Sequence, residues 1–349
     1  MDEQEVERRI ASLLAGPRGR HVCAAVGVQV APDLGWPFRP TDRADAATFV
    51  HGLAAVDPSR VAALQDPSAL VDALGTAVDS AAYWQEPAGL DDLLGRPDVV
   101  GALRSVARGL VSAPAAAWWW EPLAPEVQSI VRWCEPGRRR AEAPELTGTV
   151  ERLRRWRHGT VAGEAEAQGW PTSYETGVSG EWWSTPVAVN ITTTSLRLGR
   201  LPAVQLELVE DAMGWERARV APVAVLPDRS VYEIGGPSDW TDLVDRYPLE
   251  VDRSRRHDWW LATGGRGPWQ IPDWYAVSQD HDAVHLTVAG YLAAAGRALP
   301  TRGGQTVLAG FDPGLAYWLT DSLGRAESAT TWRRVALEDD EHRWVTETD

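Results

Sequence analysis

Val220-Ala221-Pro222-Val223-Ala224-Val225-Leu226, then Ser230-Val231-Tyr232-Glu233-Ile234, then Asp239–Arg246 behind the cap candidate Ser238: two strand-like runs followed by a helical one decide the fold class. Ala283–Val288 and Thr306–Leu308 read as further strands, and Trp274–Asp280 as another short helix. Val204-Gln205-Leu206-Glu207-Leu208 alternates apolar and polar residues, the pattern of a half-buried strand. Strands and helices do not alternate regularly. That pattern favours an α+β fold with a mixed, mostly antiparallel sheet over a doubly wound parallel one.

Toward the N-terminus the period changes to that of helices. Glu5–Ala15 carries Val6, Ile10, Leu13 and Leu14 at helical spacing. Pro67-Ser68 opens a second helix with Leu70, Val71, Leu74 and Val78, and Pro97-Asp98 a third with Val99, Val100, Leu103, Val106 and Leu110. Pro125 is expected to start a fourth, carrying Val127, Ile130, Val131 and Trp133, and Glu151–Arg157 another. Glu135–Pro144, with Arg138-Arg139-Arg140, reads as a linker or long loop. The organisation expected is a mainly helical domain over residues 1–146, a linker or helix over 147–169, and an α+β domain with a Trp/Arg-rich cleft over 170–349. The acidic tail Glu338–Asp349 is expected to fray.

Composition narrows the function. The chain has 19 tryptophans against three phenylalanines, and its 34 basic residues are all arginine. High-GC coding explains missing lysine better than it explains abundant tryptophan. Without lysine there is no internal Schiff base, no Walker A lysine and no kinase strand lysine, which excludes pyridoxal-phosphate enzymes, P-loop NTPases and protein kinases. G-x-S-x-G, H-E-x-x-H, G-x-G-x-x-G and EF-hand motifs are absent, and Gly264-Gly265-Arg266-Gly267-Pro268 reads as a turn. A net charge of −15 argues against nucleic-acid or anionic-membrane partners. No long apolar run is present, the first residues are acidic, and Cys23 and Cys134 lack C-x-x-C spacing. These features point to a cytoplasmic protein with buried thiols and no predicted cofactor.

Arg253-Ser254-Arg255-Arg256-His257-Asp258-Trp259-Trp260 is the densest candidate site. Arg253, Arg255 and Arg256 suit a phosphate, sulfate or carboxylate through forked hydrogen bonds. His257 and Asp258 suit general acid–base work, against a wall of Trp259, Trp260, Trp182 and Trp183. The alternative is surface pairing with the chain's many acids. His281 and His285, with Asp258 or Asp312, make a weak candidate for a two-His, one-carboxylate metal site; a histidine satisfied by a neighbouring backbone group is the favoured reading. Glu207, Glu210, Asp211 and Glu216 surround Met213-Gly214-Trp215, where an indole can raise a carboxyl pKa; for Glu207, alternating with Leu206 and Leu208, a solvated strand face is the favoured reading. Arg152–His158 is a basic run expected to fold over the chain's own acids. Tyr83-Trp84, Trp118–Pro122 and Trp182-Trp183 echo one another, as separate corner fillers or as walls of one cleft.

The stretches Val231–Ile234, Gly236–Trp240, Tyr247–Val251, Ile271–Trp274, Asp282–Val288, Gly290–Leu292 and Leu308–Pro313 resemble a group of Trp-rich actinobacterial proteins. The likeness covers about residues 180–321 and brings no activity to carry over. A fainter one is to compact ADP-ribosyltransferase-type folds, which implies a late glutamate; Phe311-Asp312-Pro313-Gly314-Leu315-Ala316-Tyr317-Trp318 has none. The leading expectation is a small-molecule enzyme, or its substrate-binding subunit, in actinobacterial specialised metabolism, acting on an anionic substrate. An ADP-ribosyl-transferring toxin or effector and a non-catalytic protein docking a partner subunit are the alternatives.

Overall fold

Pro97 at the first turn of α7 (Pro97–Ser112) loses no hydrogen bond there, and Val99, Leu103, Val106 and Leu110 then bury one stripe of this helix. The computed structural model describes residues 1–34, 43–134, 145–187, 189–212, 214–336 and 342–347. Around α7 pack α1 (Glu3–Ala15), α2 (Pro17–Val30), α3 (Arg43–Ala54) and α4 (Pro58–Ala62), while α5 (Val71–Asp79) and α6 (Gly89–Gly95) lie against α2. Asp2 caps α1 by accepting the Glu5 amide at 2.8 Å, and Val6, Ile10, Leu13 and Leu14 are its buried face, as the spacing predicts.

The sheet comprises β1 (Gln128–Trp133), β2 (Thr193–Leu196), β3 (Arg217–Val225), β4 (Val231–Ile234), β7 (Ala283–Leu286), β10 (Leu315–Trp318), β11 (Leu323–Ala326), β12 (Thr330–Ala336) and β13 (His342–Thr346). Its order is β13-β12-β3-β1-β2-β10-β7-β4, with β11 on the far end of β3. All pairings are antiparallel except β4 with β7. The remaining strands form two small ribbons, β5 (Pro248–Glu250) with β6 (Gln270–Pro272) and β8 (Leu299–Thr301) with β9 (Gly304–Thr306). The helices α8 (Thr149–Glu166), α9 (Pro237–Arg246), α10 (Asp252–Thr263), α11 (Trp274–Val277) and α12 (Val288–Ala294) complete the α+β fold.

Several expectations are corrected. Pro125 opens only the 3-10 turn Pro125–Val127, and the residues after it form β1, the strand between β2 and β3. Ile130 and Val131 are β-branched and buried from both faces, which suits a central strand; over so short a run their spacing fits either period. Thus β1 precedes residue 146 yet sits mid-sheet, and one apolar cluster runs from Val6 to Leu319 through both expected domains. Val204–Leu206 is a 3-10 turn, not a strand, because the Gln205 amide is bonded to the Ser195 hydroxyl and its side chain to Asp312. Ser238 does not cap α9: Gly236 is the cap position, and Asp239 accepts the Gly235 amide instead. Thr306 ends β9, and Leu308 makes only an isolated bridge to Ala295. Within the tail, His342–Thr346 form β13 on the sheet edge, paired with β12, while residues 338–341 and 348–349 lie outside the described residues. Glu135–Pro144 and Met213 lie outside the described residues.

α12 joins the two layers. It follows β7 directly, with Thr287 as its cap, and packs on α1 and α2. Tyr291 and Leu292 of α12 are fully buried there. This contact brings the N-terminal end of α2 close to the loop after α12, where a cleft opens.

Candidate functional site

Helical geometry divides the densest expected site. With about 3.6 residues per turn, Arg253, Arg256, His257 and Trp260 share one face of α10, and Arg255, Asp258, Trp259 and Ala262 the other. Burial follows this division: the second set is buried and the first half-buried. Adjacent in sequence, His257 and Asp258 point apart. Asp258 accepts the Gly180 amide at 3.0 Å, while His257 Nδ1 lies 2.6 Å from the Tyr174 carbonyl. Asp258 therefore does not orient His257, contrary to expectation.

The other members of the set hold the same crossing strap. Arg256 donates to the Thr172 carbonyl at 2.9 Å and to Asp252, Arg255 meets Glu181 at 3.2 Å, and Trp259 Nε1 donates to the Trp182 carbonyl at 2.8 Å. Gly177 passes so close that a Cβ there would fall 2.3 Å from His257 Cβ. Burial pulls Arg255 below its ordinary pKa, against the attraction of Glu181, Glu164 and Asp258. Arg253 uses its amide on Glu164 at 2.7 Å. These residues fasten residues 172–182 across α10, and they do not converge on a shared opening.

The histidine pair is also apart from the carboxylates proposed for it. His281 stands edge-on to Tyr232 and Tyr247 with Nδ1 3.1 Å from the Ser230 hydroxyl. His285 is buried in β7 with Nδ1 2.6 Å from Glu233. Among the described residues no group of three His, Cys, Asp or Glu side chains is set to hold a metal. Cys23 and Cys134 are free and buried, and burial pushes the Cys23 thiol up to about 12.

Two of the three aromatic echoes do meet. Trp182 stacks on Trp183 at 4.5 Å and lies 5.5 Å from Tyr83 and 4.9 Å from Trp84. Trp118–Trp120 stands elsewhere, with Arg9 over Trp120. Beside the Trp182 cluster opens a cleft of about 830 Å³ lined by Arg18 and Arg20 of α2, Tyr83, Asp91 and Asp92 of α6, Trp260 at the end of α10, and Arg297. Of the expected wall, Trp260 alone reaches its lining.

Three guanidiniums enter this lining. Arg18, 4% exposed, is tied to Asp91 at 2.5 Å, to the Ala77 carbonyl at 3.1 Å and to the Ser80 hydroxyl. Arg20 donates to the Leu14 and Ala15 carbonyls at 3.1 Å, and Arg297 to the Ala293 carbonyl at 2.8 Å. Neither Arg20 nor Arg297 makes an ion pair among the described residues. Burial pulls both below their ordinary pKa, and the like charges of Arg18 and Arg297 add to this for Arg20, against Asp91.

Behind Tyr83 lies a buried carboxyl pair. Glu210 Oε1 accepts the Tyr83 hydroxyl, and Oε2 accepts the amides of Gly310 at 2.7 Å and Phe311 at 3.1 Å. Asp312 accepts the Glu210 amide and the Gln205 side chain, each at 2.9 Å. Burial, with Asp312 adding repulsion, pushes Glu210 up to about 8, and burial pushes Asp312 up to about 6. Glu210 was marked in the sequence by its indole neighbour. Nothing local marks Arg18, Arg20 and Arg297; only two arginines two apart in a mostly apolar helix, Arg18-Gly19-Arg20, hint at them.

Compared with protein-family models, with curated proteins and with solved structures, the chain matches none. No described helix is long and apolar enough to cross a membrane.

Proposed function

We propose that this protein binds an anionic small molecule in the cytoplasm, as an enzyme or its substrate-binding subunit, at the cleft walled by Arg18, Arg20, Arg297, Tyr83 and Trp260. One observation carries the reading: in a chain with 49 acidic residues, Arg20 and Arg297 line a cleft without a carboxylate ion-pair partner among the described residues. A guanidinium is always charged and costly to bury alone, so an anion that pairs with these two relieves a standing penalty. Tyr83 and Trp260 offer apolar faces to the remainder of such a ligand. Asp92 lines the same cleft and makes no ion pair among the described residues, and Asp91 is committed to Arg18. The docking alternative is less favoured because every described tryptophan is buried or half-buried, and the large exposed apolar residues (Met1, Val150, Val161, Val178, Val187 and Leu226) include no aromatic.

The test is isothermal calorimetry with phosphate, sulfate and citrate on the wild type and on Arg297→Met and Arg20→Met. Saturable binding of one of them, lost in both variants while far-UV dichroism is unchanged, is the expected result. Binding that survives both substitutions, or no saturable binding of any of the three, would overturn the proposal.

A further inference from the structure

A second chamber, sharing no lining residue with the arginine cleft, holds more acids than arginines, whereas the arginine cleft sets Arg18, Arg20 and Arg297 against Glu86, Asp91 and Asp92. It encloses about 310 Å³ between α5 and the β12–β13 edge of the sheet. Trp133, at the end of β1, lies parallel to Trp215 with ring centroids 4.9 Å apart and planes within 9°. Trp344 of β13 tilts across Trp133 at 5.8 Å and 53°, held by its Nε1 donating to the Leu206 carbonyl at 2.9 Å. Three indoles from three separated parts of the chain thus meet at one opening.

The charges around them are mainly negative. Asp72 and Asp79 of α5 line the exposed side, and Glu207, its side chain 13% exposed, lines the inner side. The cation in the lining is Arg334, whose Nη2 donates to His342 Nδ1 at 2.8 Å. His342 therefore carries its proton on Nε2 and donates it to Glu207 Oε2, also at 2.8 Å. This Arg334–His342–Glu207 chain fixes the inner carboxylate in place. Arg334 makes no ion pair with any of the three acids, so three carboxylates face one guanidinium.

Low-dielectric walls concentrate the field of such a cluster, and indole faces are themselves negative at their centres. An anion is repelled from this chamber, and a neutral ligand leaves the carboxylates uncompensated. A cation with apolar flanks satisfies both the carboxylates and the indoles, and tryptophan is the best aromatic for the purpose.

We infer that the chamber bounded by Trp133, Trp215 and Trp344 is a binding site for a small organic ammonium ion, with Glu207, Asp72 and Asp79 as its counter-charges. The site is independent of the anion cleft. One face of the molecule thus takes a cation and another an anion.

Isothermal calorimetry on the full chain tests this, using methylammonium, tetramethylammonium and choline, with 3,3-dimethylbutan-1-ol as the uncharged isostere of choline. At least one ammonium probe binds saturably, and the alcohol does not bind. Glu207→Gln and Trp215→Leu each weaken that probe about tenfold or more, the equivalent of about 1.4 kcal/mol. Asp72→Asn, a change at an exposed position, weakens it severalfold and serves if either of those half-buried variants misfolds. Silence from all three ammonium probes would overturn the inference. So would equal binding of the alcohol, or affinity unchanged in Asp72→Asn and in the folded members of the other two. Phosphate, sulfate and citrate titrations of the same variants report on the arginine cleft, so failure of one site is distinguishable from failure of the other.

Discussion

The Tyr83 hydroxyl donates a hydrogen bond to the Glu210 carboxyl, joining the wall of the arginine cleft to a buried acid beneath it. The bond spans 127 positions of sequence and ties the segment after α5 to the loop before β3. Glu210 also accepts two amides of the Ala309–Phe311 turn, which itself holds Ser184 and Thr185 beside Trp182 and Trp183. One carboxyl thus organises both the aromatic cluster and the cleft wall.

Replacing Glu210 should separate loss of its hydrogen bonds from loss of its charge. Glu210→Ala leaves the Gly310 and Phe311 amides and the Tyr83 hydroxyl unpaired in the interior, and should cost roughly 3 kcal/mol in chemical denaturation. Glu210→Gln keeps an acceptor for the amides and a partner for Tyr83, and imitates the protonated acid. The folded pKa, about 8, lies above the ordinary 4.5, so the folded state binds the proton more tightly. Its contribution is complete below about pH 4.5 and is lost as pH rises toward 8. Between those limits the wild type should lose stability relative to Glu210→Gln, and a difference between the two that is flat with pH would refute the assignment.

His257 separates the sequence-based site from the structural one. Its Nδ1 faces the Tyr174 carbonyl, and it does not line the arginine cleft. His257→Ala should leave anion affinity within about twofold of wild type while loosening residues 172–182. Faster limited proteolysis within that strap, with unchanged calorimetry, is the expected pair of results.

Glycines in two helices should respond oppositely to alanine. A Cβ at Gly290, in the first turn of α12, would lie 2.2 Å from the Ile234 carbonyl oxygen, which is backbone and cannot move aside. Gly290→Ala should cost about 1–3 kcal/mol by pushing α12 off the end of β4. Gly101, within α7, has nothing within 4 Å of such a Cβ, so Gly101→Ala should gain about 0.5–1 kcal/mol. Melting temperatures of the two variants check both signs.

Long amphipathic helices were legible because their stripes are local: Val6, Ile10, Leu13 and Leu14 bury exactly as spaced, and so do Val99, Leu103, Val106 and Leu110. β1 was not, because Val127, Ile130 and Val131 satisfy both periods and only pairing with β2 and β3 decides between them. At the site, adjacency in sequence is not adjacency in space: on α10 the helical turn sends His257 and Asp258 to different neighbours. Arg18, Arg20 and Arg297 meet through the packing of α12 on α2, a long-range contact with no local pattern. Indole neighbours in sequence mark both Glu207 and Glu210, of which Glu210 is buried and Glu207 half-buried; the alternation around Glu207 belongs to a 3-10 turn and not to a strand.

Asp321 supplies the last prediction. Gly148, with φ +74°, stands at the cap position of α8 and has no side chain to close the helix end. Asp321 does so from across the fold, accepting the Gly148 amide at 2.9 Å and the Thr149 amide at 3.0 Å. Asp321→Ala should therefore cost about 1 kcal/mol, the usual value of a lost cap. Burial raises the Asp321 pKa, but the amides of Thr149 and Gly148 more than offset this, and it lies below the ordinary 3.8. A depressed acid contributes stability above its unfolded pKa and loses it as pH falls through the folded one. The gap between wild type and Asp321→Asn should be full at neutral pH and close on acidification below about pH 3.8, opposite in direction to the Glu210 effect. Urea titrations of the variants at neutral and acidic pH measure both slopes. A gap that persists unchanged into acid would mean that Asp321 holds α8 by shape and not by charge.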